Sequence, residues 1–382
     1  MKICRSPSPH TRAFTLVELL VSTAIITMII LVLVSITSQT SSTWRYTTGK
    51  IEQFREARKA FDTMTTRLSQ ATLNTYWDYF DAQGKPRVLN KPFTPAQYGR
   101  QSELLFISGP TGTLLGDSAT AARISHGVFF HAPIGLTEDA GSAANVKYRG
   151  LNNLLNVWGY YAEFGDDTDL RPSFITDAIA KPRWRFRLME FMQPSQKMTT
   201  YLPTWAGKNG STSPGAAQYN WFKVPANANP APVHVLSENI VALIIRPQLS
   251  KQDIEQQLKE SKKTELTTDY IYDTRYDPVA AKGKFTDAAL NPVNQLPPIL
   301  QITMVAIDEQ SATRLNLADG AEDVFGLKAK FTDPAEYDRD LLREANGGSS
   351  LEDELIKKRV SYRIFSTNVP IRGAKWSRQQ VN

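Results

Sequence analysis

Four carboxylates surround one glycine in Glu163-Phe164-Gly165-Asp166-Asp167-Thr168-Asp169. Oxygen-rich turns of this kind suit calcium. The spacing of Asp166, Asp167 and Asp169 is not that of an EF-hand, so a solvated turn after a strand is the simpler expectation. Asp269, Asp273 and Asp277 recur every four residues, which on a helix would place them on one face. Pro278 and the tyrosines Tyr270, Tyr272 and Tyr276 favour a loop or strand there instead. A paired-carboxylate hydrolase would also need a base, a nucleophile or a histidine, and none accompanies these acids in sequence. His126 and His131 are five apart and point to opposite faces of a strand, which disfavours joint metal binding. Arg183, Arg185 and Arg187 alternate with Trp184, Phe186 and Leu188. That is the pattern of a sheet strand with aromatic residues inward and arginines outward. Read as a basic stripe, it would bind DNA or another anionic surface. The last group is a lone acid, Glu18, inside the apolar run Phe14 to Ile36.

Composition narrows the chemistry further. The single cysteine, Cys4, excludes an internal disulfide and Cys-based metal or redox sites. It precedes the apolar run, whereas a lipid-anchored cysteine would follow one. Only four histidines are present. No Walker loop, GxGxxG, GxSxG or HExxH occurs, and Gly109-Pro110-Thr111-Gly112 lacks the Lys-Thr of a phosphate loop. No cofactor is implied. Lys and Arg total 44 against 38 Asp and Glu. Lys2, Arg5 and Arg12 carry part of that excess, so the rest is nearly neutral and nucleic acid is disfavoured as a partner.

Phe14 to Ile36 is 23 residues long with one charge. A bilayer core needs about 20 apolar residues in a helix. Three basic residues precede the run and no acid does, which places the amino terminus in the cytoplasm and the rest outside. An ordinary signal peptide would have a shorter run and a small-residue cleavage site. A plain anchor leaves Glu18 unexplained, because an acid inside a span costs roughly 2.5–3.5 kcal/mol.

The residues Arg12-Ala13-Phe14-Thr15-Leu16-Val17-Glu18 closely resemble the type IV prepilin processing motif. Ala13 stands where the family more often has Gly. The resemblance implies cleavage by a prepilin peptidase between Ala13 and Phe14, methylation of the new amine, and Glu18 as the acid fifth in the mature chain. A cationic amine on Phe14 and the Glu18 carboxylate are each costly alone in a low-dielectric layer and much less so paired. Beyond the span, Ile51, Phe54, Ala57, Phe61, Met64, Leu68 and Ala71 recur at helical steps. One helix from Phe14 to about Asn74 would therefore serve the membrane first and lay a stripe on a domain afterwards, as in pilins.

Apolar or alternating runs predict strands at Leu104–Ser108, Val128–His131, Val157–Phe164, Trp184–Met192, Ile240–Arg246, Ile299–Asp308 and Val360–Val369. Gly-, Ser-, Asn- and Pro-rich loops fall at Gly135–Ala144, Ala206–Pro232 and Asp277–Pro298. Charged stretches at Gln252–Lys263, Pro334–Ala345 and Leu351–Lys358 read as short surface helices. The fold class is α+β: a long amino-terminal helix packed on a mainly antiparallel β domain. The divisions are a leader at 1–13, a transmembrane helix at 14–36, its amphipathic extension at 37–74 and an extracytoplasmic domain at 75–382. Leu236–Leu243 and Leu296–Thr303 resemble the J-type minor pseudopilins of type II secretion. Tyr362–Arg372 and the Arg183–Met192 strand are similar to the prepilin-like group called Verru_Chthon cassette protein C.

These readings make the chain a minor pseudopilin-like structural subunit rather than an enzyme. Its expected partners are a prepilin peptidase, other pilin or pseudopilin subunits and the bilayer of the cytoplasmic membrane. The alternative is a membrane-anchored module whose long loops capture a ligand or DNA.

Overall fold

The computed structural model describes residues 16–83, 87, 91–116, 121–137, 153–172, 174–200, 219–228, 230–275, 290–343 and 348–374. Its first element is helix α1, Leu16–Leu68. The chain divides into two units, Met1–Gln53 and Phe54–Asn382.

In the second unit, the end of α1 buries Ala57, Phe61, Met64 and Leu68 of the expected stripe in the main core, together with Ala60. The helix closes at Leu68 rather than near Asn74, because the next backbone groups find other partners. Arg372 N–H donates to the Ser69 carbonyl (3.1 Å) and Thr72 N–H to that of His131 (2.9 Å). Asn74 Oδ1 accepts from the N–H groups of Glu103 (2.7 Å) and Leu104 (3.0 Å).

Strands follow. β1 (Tyr76–Phe80) and β2 (Gln97–Gln101) form an antiparallel pair. β3 (Phe106–Pro110), β4 (Ala121–Ala132), β5 (Asn156–Gly165), β6 (Arg185–Gln193) and β7 (Val233–Glu238) run as a meander. The two-residue strand β9 (Tyr272–Asp273) completes this six-stranded sheet in the order β7-β6-β5-β4-β3-β9. β8 (Ile240–Gln248), β10 (Ile299–Ile307) and β11 (Tyr362–Pro370) form a three-stranded sheet ordered β11-β10-β8. Every pairing is antiparallel, so the α+β expectation holds.

Asn239 passes the chain from one sheet to the other. It adopts φ +61°, which Asn tolerates better than most residues. Its N–H donates to Phe186 (2.6 Å), and its carbonyl accepts from Ile307 (2.9 Å). The main core lies between the sheets, with the end of α1 against it. A second core covers the other face of the six-stranded sheet. There α2 (Thr111–Leu115) and α3 (Asn220–Ala226) bring Leu114, Leu115, Trp221 and Phe222 onto Phe129 and Phe191. Phe222 stacks on Phe129 at 4.0 Å. Gly159 makes room for that ring, since a Cβ there would lie 2.3 Å from Phe129. The expected loop 206–232 thus contains a helix that supplies much of a core.

Among the described residues lie the further short helices α4 (Lys251–Lys259), α5 (Glu309–Leu315), α6 (Tyr337–Leu341) and α7 (Leu351–Lys357). Three begin on side-chain caps from Ser250, Asp308 and Ser350.

Candidate functional site

Among the described residues, one helical stretch is long and apolar enough to cross a membrane: Leu16–Thr48, with a mean hydropathy of 2.8 over its most apolar 18 residues. All its side chains are exposed. Several of its hydroxyls are nonetheless satisfied within the helix. Ser22 donates to the Glu18 carbonyl (2.7 Å), Thr27 to that of Thr23 (2.8 Å) and Thr37 to that of Leu33 (2.8 Å). Such back-bonding hides polar groups from a medium that cannot hydrogen-bond them. Glu18 stands in the first turn, where a carboxylate complements the helix dipole. Ala13 and Phe14 lie outside the described residues.

Residues 9–34 match the family model of the prokaryotic N-terminal methylation motif. The matched stretch contains Ala13, Phe14 and Glu18. Together with the apolar helix, the methylation motif supports a membrane-anchored, type IV prepilin-like chain that crosses the membrane once. Chains bearing it are processed by a prepilin peptidase and assemble with other pilin subunits. No curated protein and no solved structure matches this chain.

The other candidates serve the fold. Asp167 is buried, not part of a solvated turn. It pairs with Arg171 (2.8 Å) and Arg183 (3.3 Å) and accepts the Arg183 N–H (2.8 Å). Burial alone would raise its pKa, but these donors outweigh it and hold the carboxyl below its ordinary value. Asp166 accepts the Thr168 N–H (3.0 Å), and the side chain of Asp169 lies outside the described set. Asp269 is an exposed acid that caps the Ile271 N–H (3.2 Å), Asp273 is buried, and Asp277 lies outside the described residues. Burial pushes Asp273 up to about 6, against the opposing pull of the Arg275 N–H and guanidinium.

The two histidines sit in different cores. His126 lies at a bulge in β4, and its Nδ1 accepts the Ile245 N–H of β8 (3.1 Å). Its Nε2 therefore donates to the Phe331 carbonyl (3.2 Å). Ser125 Oγ does the same for Leu243 N–H (3.0 Å), so two β4 side chains satisfy an edge of β8. His131 bonds Thr200 Oγ1 (2.7 Å) and stacks on Trp221 at 4.9 Å. Burial lowers both histidines to about 4, which keeps them neutral. Among the described residues, no three His, Cys, Asp or Glu side chains converge to hold a metal.

The outward-facing arginine stripe is corrected. Arg183 is exposed, but Arg185 and Arg187 are buried, with Arg187 at 2%. Arg185 pairs with Glu309 (2.9 Å). Arg187 donates to the Asp166 carbonyl (2.7 Å) and lies 3.9 Å from Glu238. The reason is the β5–β6 register, which sets Glu163 opposite Arg187 and Gly165 opposite Arg185. Acidic turn and arginine strand therefore form one network, and only the pairing of their distances along adjacent strands could have revealed it.

Sequence reasoning also missed Arg67. Its guanidinium lies 4.2 Å from the Trp158 ring, bonds the Tyr160 hydroxyl (3.3 Å) and pairs with Glu190. Tyr160 donates to Glu190 as well (2.9 Å). This latch fastens the last turn of α1 to β5 and β6.

Proposed function

We propose that the chain is a minor pseudopilin-like structural subunit of a type IV pilus-like or type II secretion-like assembly. The observation that carries the reading is the methylation motif at 9–34 coinciding with an exposed apolar helix that holds one acid. A prepilin peptidase cleaves between Ala13 and Phe14, and the new amine pairs with Glu18 within the chain or between neighbours. Residues 14–36 span the cytoplasmic membrane with the amino terminus inside, as Lys2, Arg5 and Arg12 favour. Residues 37–74 extend that helix, and 75–382 form the domain outside the cytoplasm. The chain has no catalytic role and takes no cofactor. The likenesses to J-type pseudopilins and to the Verru_Chthon cassette group support the finer reading. So does the run of exposed large apolar side chains from Leu16 to Ile36.

Intact mass and amino-terminal sequencing of the protein from its native membrane test this reading. The mature chain should begin at Phe14, carry an N-methyl group and have 369 residues. An amino terminus beyond Ile36 would mean ordinary signal cleavage and would overturn it.

A further inference from the structure

The β1–β2 hairpin carries an unusual column. Its register pairs Trp77 with Arg100 and Tyr79 with Tyr98, so the four side chains share one face. Tyr79 and Tyr98 lie 5.1 Å apart, Tyr98 and Trp77 stack at 5.3 Å, and Arg100 Cζ is 5.6 Å from the Trp77 ring. The rings pack chiefly on one another, so their combined effect is to fix the guanidinium at the column's end. A cavity of about 440 Å³ opens there, lined by Arg100, Trp77, Leu73, Leu296, Thr75 and Gln295 among others.

Arg100 is half-buried, and among the described residues no carboxylate pairs with it. Burial lowers its pKa, and only a weak opposing effect of Tyr272 offsets this. The strand bearing Arg100 is held by Asn294, whose Nδ2 donates to the Arg100 carbonyl (2.7 Å) and whose Oδ1 accepts the Ser102 N–H (3.2 Å). Asn294 is thus a positioning residue. Gln295 is 9% exposed, and its Oε1 has no hydrogen-bond partner. A half-buried cation with no counter-charge among the described residues borders the cavity, and the unpaired Gln295 Oε1, an acceptor, would take an N–H of the ligand rather than its carboxylate.

We propose that this cavity binds a small carboxylate with an apolar body. A guanidinium takes a carboxylate through two parallel N–H bonds and balances its single charge. A phosphate dianion would keep one charge uncompensated, since no second cation is among the described lining residues. Leu73, Leu296 and Trp77 supply the wall for the apolar body. The carboxylate could come from a free organic acid or from the carboxyl-terminal residue of a polypeptide. This site stands apart from membrane anchoring and filament assembly.

The test is calorimetric titration of the full chain in detergent micelles. The probes are N-acetyl-leucine, N-acetyl-leucinamide and acetyl-alanyl-alanyl-leucine. The acid should bind saturably, and the amide about tenfold more weakly or worse, because it lacks the charge. Arg100→Gln should abolish acid binding, and Arg100→Lys should weaken it, with circular dichroism and thermal midpoint reporting that both still fold. A tripeptide tighter than N-acetyl-leucine assigns the site to a polypeptide terminus, and a weaker one to a free acid. Equal binding of acid and amide, no saturation by any probe, or full affinity in Arg100→Lys would each overturn the proposal.

Discussion

Helix α1 treats its side chains in two opposite ways. Over Leu16–Thr48 the large apolar residues are exposed, Leu31 at 66%, and hydroxyls such as Thr27 bond back to their own helix. From Phe54 onward the apolar stripe is buried, Met64 at 0%, and the polar Arg67 is latched to β5 and β6. The first stretch leaves its described side chains exposed, as suits the membrane-anchored reading of the methylation motif. The second finds all its partners inside the chain. Substitutions in the first should therefore change insertion or assembly, and those in the second should change stability.

Glu18 gives the largest expected effect. Glu18→Val should leave insertion intact or improved, since the change removes an acid from an apolar span. Cleavage should survive, because the bond cut lies four residues away. Assembly should fail, because the Phe14 amine would enter an apolar core unpaired, at a cost of about 3–5 kcal/mol. Glu18→Asp should be milder. Pull-down from cross-linked membranes reads the outcome, and wild-type co-purification of Glu18→Val with its partner subunits would refute the pairing role.

Met64→Ala should destabilise the sheet domain by about 2–5 kcal/mol through lost burial and a cavity. Leu31→Ala should leave the domain's denaturation unchanged. Thermal melts of the two variants in the same detergent compare them directly. A shift in Leu31→Ala equal to that of Met64→Ala would erase the distinction between the two stretches.

How much was legible follows the same division. The apolar run, Glu18 and the stripe through Leu68 could be read because each depends on near neighbours in sequence. The seven expected strands are present for the same reason, and β4 merely extends back to Ala121. β1 and β2 gave little signal because exposed aromatic and polar residues fill them, and β7 because its residues are half-buried without a regular alternation. The fate of Arg185, Arg187 and Asp167 was hidden because it depends on which strands pair and in what register. Cross-strand geometry likewise made His126 a splice between sheets, a role its spacing from His131 could not show.

Those histidines predict a pH dependence confined to the second stretch's domain. Each has a folded pKa near 4 against 6.5 when free, so the unfolded chain binds more protons between those values. Stability is then full above 6.5 and falls as pH drops toward 4, by about 1.4 kcal/mol per unit per histidine. Asp273 acts with the opposite sign between 3.8 and about 6, because there the folded chain holds the extra proton. The net loss is therefore that of roughly one histidine through most of the window. His126→Gln keeps an acceptor for Ile245 and a donor for Phe331, and should flatten the slope in urea melts taken from pH 7 to 4.5. An unchanged slope would show that His126 is not neutral by burial.

The smallest effect concerns two hydroxyls, one in each stretch's domain of action. Ser350 Oγ accepts the Asp353 N–H (3.1 Å) and donates to its carboxylate (2.7 Å), opening α7 with Ser350 3% exposed. Ser350→Ala leaves that N–H without its cap and should cost about 1 kcal/mol, or about 2 °C in thermal midpoint. Thr27 differs because its hydroxyl only adds a second bond to the Thr23 carbonyl, which the backbone already occupies as helix acceptor. Thr27→Val keeps the β-branched shape and orphans no group, so its effect on the midpoint should stay within about 0.5 kcal/mol. A Thr27→Val shift as large as that of Ser350→Ala would mean the exposed stretch makes specific contacts within the folded chain. The contrast between a self-contained domain and an outward-facing helix would then be wrong at that point.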